Sequence, residues 1–328
     1  MKNQEKIFVI GHKNPDTDSI CSAIAYCDIK NRTTQEGRYI PKRAGQINEE
    51  TEYVLSRFGV QPPGYLSNIG TQVKDMDIRL SPEANHSMSL KNAWELMQEN
   101  SIVSLPIREK DGTLEGLITI GDIAKTYMDT TDSYLLSRAR TQYMRIAETI
   151  DGKIVEGNGH GYFIQGKIMV GTANPDKMKE YVEENDMIIM GNREEDHLQA
   201  IEQNVSCIIV GLGIEVTEKV LKLAHEKDIV IISSPYDTFT ISRLINQSIP
   251  VKYIMKTDNL VTFSTEDFTD DIQDVMIKHR HRAFPVINKK GKCIGTISRR
   301  NFLDMHRKKV VLVDHNEKDQ AVDNIDKA

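Results

Sequence analysis

Cysteine is sparse in this 328-residue chain, and the four that occur (Cys21, Cys27, Cys207, Cys293) are scattered with no Cys-x-x-Cys pair. That spacing speaks against a structural zinc site and against a disulfide framework, and it fits a reducing, cytoplasmic setting. Long apolar runs are missing too. Nothing approaches the roughly 20 residues a membrane span needs, and residues 1–6 are too polar for a signal peptide, so no membrane partner is expected. Excess positive charge is also lacking: 42 Lys and Arg stand against 48 Asp and Glu, a net charge of −6. No global field therefore favours nucleic acid. The length is sufficient for two or three domains with a large core.

What the chain does have starts at residues 7–20, Ile-Phe-Val-Ile-Gly-His-Lys-Asn-Pro-Asp-Thr-Asp-Ser-Ile. An apolar β-type run to Ile10 meets Gly11, and a short loop presents His12, Asp16 and Asp18 before a helical pattern opens at Ser19. In open α/β sheets such a turn lies at the carboxyl edge of the strands, where small ligands bind. One imidazole and two carboxylates within seven positions suit a manganese- or magnesium-like cation better than a thiolate-seeking one. A lone aspartate before a helix is ordinarily just a cap. Two with a histidine favour the metal reading, and Asp18 can serve as cap and ligand together.

Residues 6–65 read as βαβα: a strand to Ile10, a helix from Ser19 to about Lys30, a short strand near Tyr39 and Ile40, and a helix from about Asn48 to Phe58. Such alternation implies a parallel sheet covered by helices. Pro62-Pro63-Gly64 then breaks the pattern. Beyond it the chain repeats itself. Met276 follows Met97 by 179 residues (276 − 97 = 179), and the same interval separates Pro285 from Pro106, Gly291 from Gly112 and Gly295 from Gly116. A fixed offset across a helix, a strand, a turn and a second strand means two copies of one unit. Between the copies, residues 132–249 alternate strands (Lys167 to Val170, Met187 to Met190, Cys207 to Val210, Ile229 to Ile232) with helical stretches, a third α/β unit. Gly211 and Gly213 there are a weak phosphate signal and better explained by a tight turn.

The segment His12-Lys-Asn-Pro-Asp16-Thr-Asp18-Ser19 resembles the first motif of the DHH phosphoesterase superfamily, in the wording of the family II inorganic pyrophosphatases. Val310-Val-Leu-Val-Asp314-His315-Asn316 resembles that family's next motif. The resemblance implies that His12 and Asp16 hold one metal ion, Asp18 the other, and that Asp314 bridges the pair. It implies manganese or cobalt in a two-metal site, magnesium on the substrate, and hydrolysis of pyrophosphate to two phosphates. The repeated unit resembles the CBS domain, which pairs with its own copy in a Bateman module, and the unit between the copies resembles the DRTGG domain of regulated pyrophosphatases.

By these resemblances the chain is α/β, the first part of a DHH-type parallel sheet domain (residues 1–68) interrupted by a CBS pair (69–131 and 250–308) that encloses a DRTGG-like domain (132–249), with the sheet resumed at 309–328. The CBS family holds adenosine in Gly-x-x-Thr/Ser-x-x-Asp, the carboxylate on the ribose and the hydroxyl side chain on phosphate. Thr119 and Asp122 match; in the second copy Ser298 matches and Asn301 replaces the acid. The implied nucleotide contacts are Ser101, Val103, Thr119, Asp122, His281, Arg282, Ser298, Arg299 and Asn301. The expected ligands are AMP, ADP, ATP or a diadenosine polyphosphate, and the expected assembly is a homodimer. The basic cluster Lys278, His279, Arg280, His281, Arg282, Arg299 and Arg300 suits phosphate.

A family II enzyme continues with an Asp-His-His motif and a second domain bearing arginine and lysine, whereas this sequence closes with eleven residues after Glu317, so a truncated gene product is the expectation. The alternative from another class is a non-catalytic sensor of adenine nucleotides. A DHH phosphodiesterase acting on short oligonucleotides is a third reading, disfavoured by the acidic pI.

Overall fold

The computed structural model of the chain describes residues 6–34, 37–66, 70–128, 132–172, 175–279, 281–303, 305 and 308–313. The chain divides into two compact units, one made of Met1–Ile78, Phe263–His281 and Ile297–Ala328, the other of Arg79–Thr262 and Arg282–Thr296.

In the first unit the apolar run Lys6–Ile10 is a strand with neighbours on both sides. Arg38–Arg43 pairs with it in parallel, Ile7 opposite Tyr39, and Gly64–Tyr65 extends the sheet from Arg38–Arg43. On the other side lies Lys309–Leu312, also parallel, from Ile7 opposite Lys309 to Ile10 opposite Leu312. The amide of Val313 continues the ladder to Ile10 O at 2.9 Å. Parallel neighbours require a crossover. The first is the helix Thr17–Thr33, longer at both ends than its apolar pattern suggests, followed by the helix Glu49–Arg57. Ile7, Val9, Ala23, Cys27 and Tyr39 form the core, with Val311 and Val313 against it. Burial pushes the Cys27 thiol up to about 11, which leaves it an inert apolar filler.

In the second unit, four parallel strands, Ile168–Val170, Met187–Met190, Cys207–Val210 and Val230–Ser233, form one sheet, with Lys153–Glu156 antiparallel at the edge. The two central runs are buried at every residue. A sheet covered on both faces demands that, and it explains why these strands read as continuous apolar runs rather than alternating ones. The period-2 alternation reappears in the packing: Met187, Ile189, Cys207, Ile209, Val230 and Ile232 enter one core, while Ile188, Met190, Ile208, Val210 and Ile231 enter the other. The first core runs on into the first repeat, whose helix Leu90–Glu99 and hairpin Ser104–Arg108 and Leu114–Thr119 supply Leu90, Ala93, Met97, Leu105, Ile107 and Ile118.

The repeat is visible in the element boundaries. The second copy's helix starts at Thr269, its first strand ends at Ile287 and its second starts at Cys293, each 179 residues after Leu90, Arg108 and Leu114 (269 − 90 = 179). Gly211-Leu212-Gly213 is a turn and not an open phosphate loop: Leu212 and Gly213 have φ of 65° and 63°, and their amides donate to Tyr236 O and Ser234 O at 2.7 and 2.8 Å. Among the described residues no helix is long and apolar enough to cross a membrane.

Ile209 has no exposed surface and sits in the shared core, whereas Ile164 is 61% exposed. Ile209→Ala is expected to lower stability by about 2–5 kcal/mol and Ile164→Ala by under about 0.5 kcal/mol, read from the urea midpoint at unchanged slope.

Candidate metal and nucleotide sites

The loop after Lys6–Ile10 is held by close backbone approach at two glycines. A Cβ on Gly11 would lie 1.8 Å from Ser19 Oγ, and one on Gly45 would lie 2.4 Å from Lys13 O and 2.7 Å from Pro15 Cδ. Only glycine lets the start of the helix and the 44–45 bend press on this loop. Pinned in this way, His12 is buried, 8% exposed, with Nε2 3.4 Å from Asp16 Oδ1.

Asp16, in extended conformation, is the helix cap, its Oδ1 accepting from Ser19 N at 2.8 Å. The capping role thus belongs to Asp16 rather than Asp18. Asp18 lies exposed in the first turn, where Ser22 Oγ is 3.4 Å from Oδ1. Two ligand atoms bound to one ion at about 2.1 Å lie roughly 3.0–3.4 Å apart at ordinary angles. His12 and Asp16 therefore fit a divalent cation of the manganese or cobalt kind, an imidazole and a carboxylate being the donors such ions accept. Asp18 does not converge with them: the one group of three carboxylate, imidazole or thiol ligands within 4.8 Å among the described residues lies elsewhere. That separation is compatible with Asp18 serving a second ion. Asp314 and Arg280 lie outside the described residues.

At the end of the first hairpin, Thr119 N and Oγ1 both donate to Asp122 Oδ2, at 2.9 and 2.6 Å, opening the helix Ile120–Met128. Asp122 Oδ1 faces Lys256 Nζ at 3.6 Å. Nothing in the sequence marked Lys256. The residue reaches Asp122 because its own backbone bonds both ways with Leu117, N to O at 2.9 Å in each direction. Val103 O accepts from Ile120 N at 3.2 Å, and Ser101, with φ of 50°, closes the preceding helix. Ser101 and Val103 are both exposed.

The second copy is wired alike and charged differently. Ser298 N and Oγ donate to Asn301 Oδ1 at 2.7 and 2.8 Å, and Asn301 Nδ2 donates to Asp77 O at 2.7 Å. The amide is thereby engaged at both ends. Arg299 donates through Nε to Met276 O at 3.1 Å and through Nη2 to His279 O, capping the helix Thr269–Lys278. His281 stacks on His279 with ring centroids 5.8 Å apart, and Arg282 is exposed.

The DRTGG domain family matches residues 145–248, and the CBS domain family matches residues 78–129 and 251–308. The chain is 37% identical over 326 residues to the cobalt-dependent inorganic pyrophosphatase of Clostridium perfringens, covering 99% of this chain and 59% of that protein. It is 30% identical over 328 residues to a probable manganese-dependent inorganic pyrophosphatase of Thermotoga maritima, covering 60% of it. The chain thus spans about three fifths of the curated relatives it matches. A solved structure of the CBS and DRTGG domains from the regulatory region of the Clostridium perfringens pyrophosphatase, complexed with the activator diadenosine tetraphosphate, superposes with a TM-score of 0.66 at 33% identity. It covers 70% of this chain and 100% of that one.

Without metal, Asp16→Ala is expected to destabilise the first unit by about 1 kcal/mol through loss of the cap. Asp18→Ala, which leaves the Asp16 cap in place and removes an exposed charge near the helix start, should cost less, about 0.5 kcal/mol, in the same denaturation experiment.

Proposed function

We propose that the chain, which is similar over about three fifths of their length to inorganic pyrophosphatases and matches the CBS and DRTGG domain families, contributes the metal loop of a two-metal centre for pyrophosphate hydrolysis and a regulatory region for adenine nucleotides. The observation that carries the reading is the parallel register of Lys309–Leu312 on Lys6–Ile10. It brings the segment that leads to Asp314 beside the strand that leads to His12.

In this proposal His12 and Asp16 would hold one manganese or cobalt ion, Asp18 would hold the second, and Asp314 would serve both. When bound, two such ions would supply an activated water and charge neutralisation for pyrophosphate, the substrate that magnesium would accompany and that hydrolysis would convert to two phosphates. Four free cysteines are in keeping with a cytoplasmic protein. A homodimer is the proposed assembly.

For the nucleotide, Asp122 is proposed to take the ribose hydroxyls and Thr119 a phosphate. Ser101, Val103, His281, Arg282, Ser298 and Arg299 complete the proposed contacts of AMP, ADP, ATP or a diadenosine polyphosphate. Asn301 is neutral and already donates to Asp77 O, so the second copy offers the weaker ribose contact. Asn301 also provides a control, because its Oδ1 makes the same helix-opening bonds that Asp122 makes. Asp122→Asn thus removes charge and leaves the cap.

Calorimetry with diadenosine tetraphosphate on the full chain is expected to show binding, weakened about tenfold or more in Asp122→Asn, the size of a lost charge-assisted hydrogen bond. Equal affinity in the variant overturns the ribose assignment. Phosphate release from pyrophosphate with manganese, lost in His12→Gln, tests the catalytic half. Nucleotide binding with no turnover leaves the sensor alone.

A further inference from the structure

The one three-ligand cluster among the described residues shares no residue with either site and falls within the unit made of Arg79–Thr262 and Arg282–Thr296. It is built at the turn end of the first repeat's hairpin. Ile107 faces Gly116 while Arg108 faces Leu114, so Glu115 is an extra residue on its strand. A bulge of this kind re-aims a side chain and is common beside functional sites. Glu115, only 16% exposed at its side chain, is brought to His86, with Oε2 2.8 Å from Nδ1. Glu109, exposed at the end of the strand Ser104–Arg108, completes a trio whose ligand atoms all lie within 4.8 Å of one another.

The turn that carries Glu109 is stiff. Glu109 N donates to Thr113 O and Gly112 N to Glu109 O, each at 2.9 Å. Asp111 is spent on the same turn: Thr113 donates to it from N at 2.9 Å and from Oγ1 at 2.7 Å, which holds its carboxyl below the usual range. His86 and Glu109 line a cleft of about 850 Å³. Thr119 is at the other end of the same hairpin strand, four residues from Glu115 and thus roughly 13 Å along it, and Asp122 lies in the helix that follows.

Two carboxylates this close repel, and one imidazole neutralises at most one of them. A dication neutralises both. The 2.8 Å between His86 Nδ1 and Glu115 Oε2 is a hydrogen bond, which an ion would replace by spreading the two atoms to the roughly 3.0–3.4 Å of ligands on one centre, and magnesium and calcium prefer oxygen donors over imidazole. We propose that His86, Glu109 and Glu115 form a binding site for a divalent transition cation of the zinc, cobalt or manganese class, separate from the His12 loop. The bound cation fixes the hairpin turn, and with it the bond from Cys293 N to Gly112 O at 3.0 Å, which joins the turns of the two repeats.

The experiment is a cobalt titration of the full chain carrying His12→Gln and Asp18→Asn, which silences the amino-terminal loop, followed by calorimetry and by visible d–d absorption. One equivalent of cobalt is expected to bind, with bands that report imidazole and carboxylate ligation. Adding His86→Gln or Glu115→Gln is expected to weaken binding by more than about tenfold, since even the outer partners of metal ligands are worth that much. Glu109→Gln alters an exposed side chain that supports no core, so a loss there cannot be charged to misfolding. No cobalt binding in the double variant, or binding unchanged by all three substitutions, overturns the proposal. Loss in the double variant with retention in His86→Gln alone would place the chain's cobalt at His12 and overturn it as well.

Discussion

The pairing of Lys309–Leu312 with Lys6–Ile10 is the constraint on which the rest hangs. Those strands are neighbours in one sheet, yet about 300 residues separate them, and every residue between Tyr65 and Lys309 must leave the sheet and come back. Loop closure becomes costlier only slowly with length, about 0.6 kcal/mol for each doubling, so a long excursion is tolerable when its ends meet. The ends are tied within the first unit. Lys308 Nζ lies 2.7 Å from Asp75 Oδ2, Val73 N donates to Asp267 O and Lys74 N to Thr265 O, both at 3.0 Å. Asp75 also accepts from Gln72 N, so the residue that receives the returning lysine braces the departing turn. The loop at His12 therefore follows a strand whose neighbour is positioned by where the inserted region starts and stops.

Much of this was legible because hydrophobic pattern and period carry long-range meaning. Continuous runs such as Met187–Met190 and Cys207–Val210 could only be strands covered on both faces, and the 179-residue offset survives in the element boundaries. Lys153–Glu156 was not legible. Its residues Lys-Ile-Val-Glu alternate between exposed and half-buried, and a four-residue edge strand has too little apolar content to stand out from the connection around it. At the His12 loop the sequence did not say which aspartate caps the helix. Capping depends on the backbone angles of Asp16, and two aspartates two positions apart look alike until those are fixed. The bulge at Glu115 was hidden for a similar reason, because register belongs to the pair of strands and neither strand states it alone.

The two copies of the repeat show how a fold keeps its geometry while its chemistry drifts. Thr119 with Asp122 and Ser298 with Asn301 make the same pair of hydrogen bonds to open a helix, so Asp and Asn are interchangeable for folding. They are not interchangeable toward a ligand. A carboxylate accepts from two hydroxyls at once, whereas the Asn301 amide has one oxygen already taken twice and a nitrogen spent on Asp77 O. The asymmetry between the copies is electrostatic and not structural, which makes it invisible to any comparison of backbones.

That asymmetry marks where the proposed nucleotide would act. Before any ligand arrives, the Asp122 carboxylate is shared between the helix cap at Oδ2 and Lys256 at Oδ1. A ribose that claimed Asp122 would compete with Lys256 alone, since the capping bonds use the other oxygen. Lys256 is held by backbone to Leu117 on one side and begins the second repeat's approach on the other, directly after the buried Met255. Its pair with Asp122 is half-exposed and spans 3.6 Å, so its own contribution is small, of the order of a surface ion pair at about 0–1 kcal/mol. A contact that weak cannot drive a large change by itself. It can set which of two nearly equal arrangements prevails, and the strength of any nucleotide effect is then limited by the difference in affinity between those arrangements.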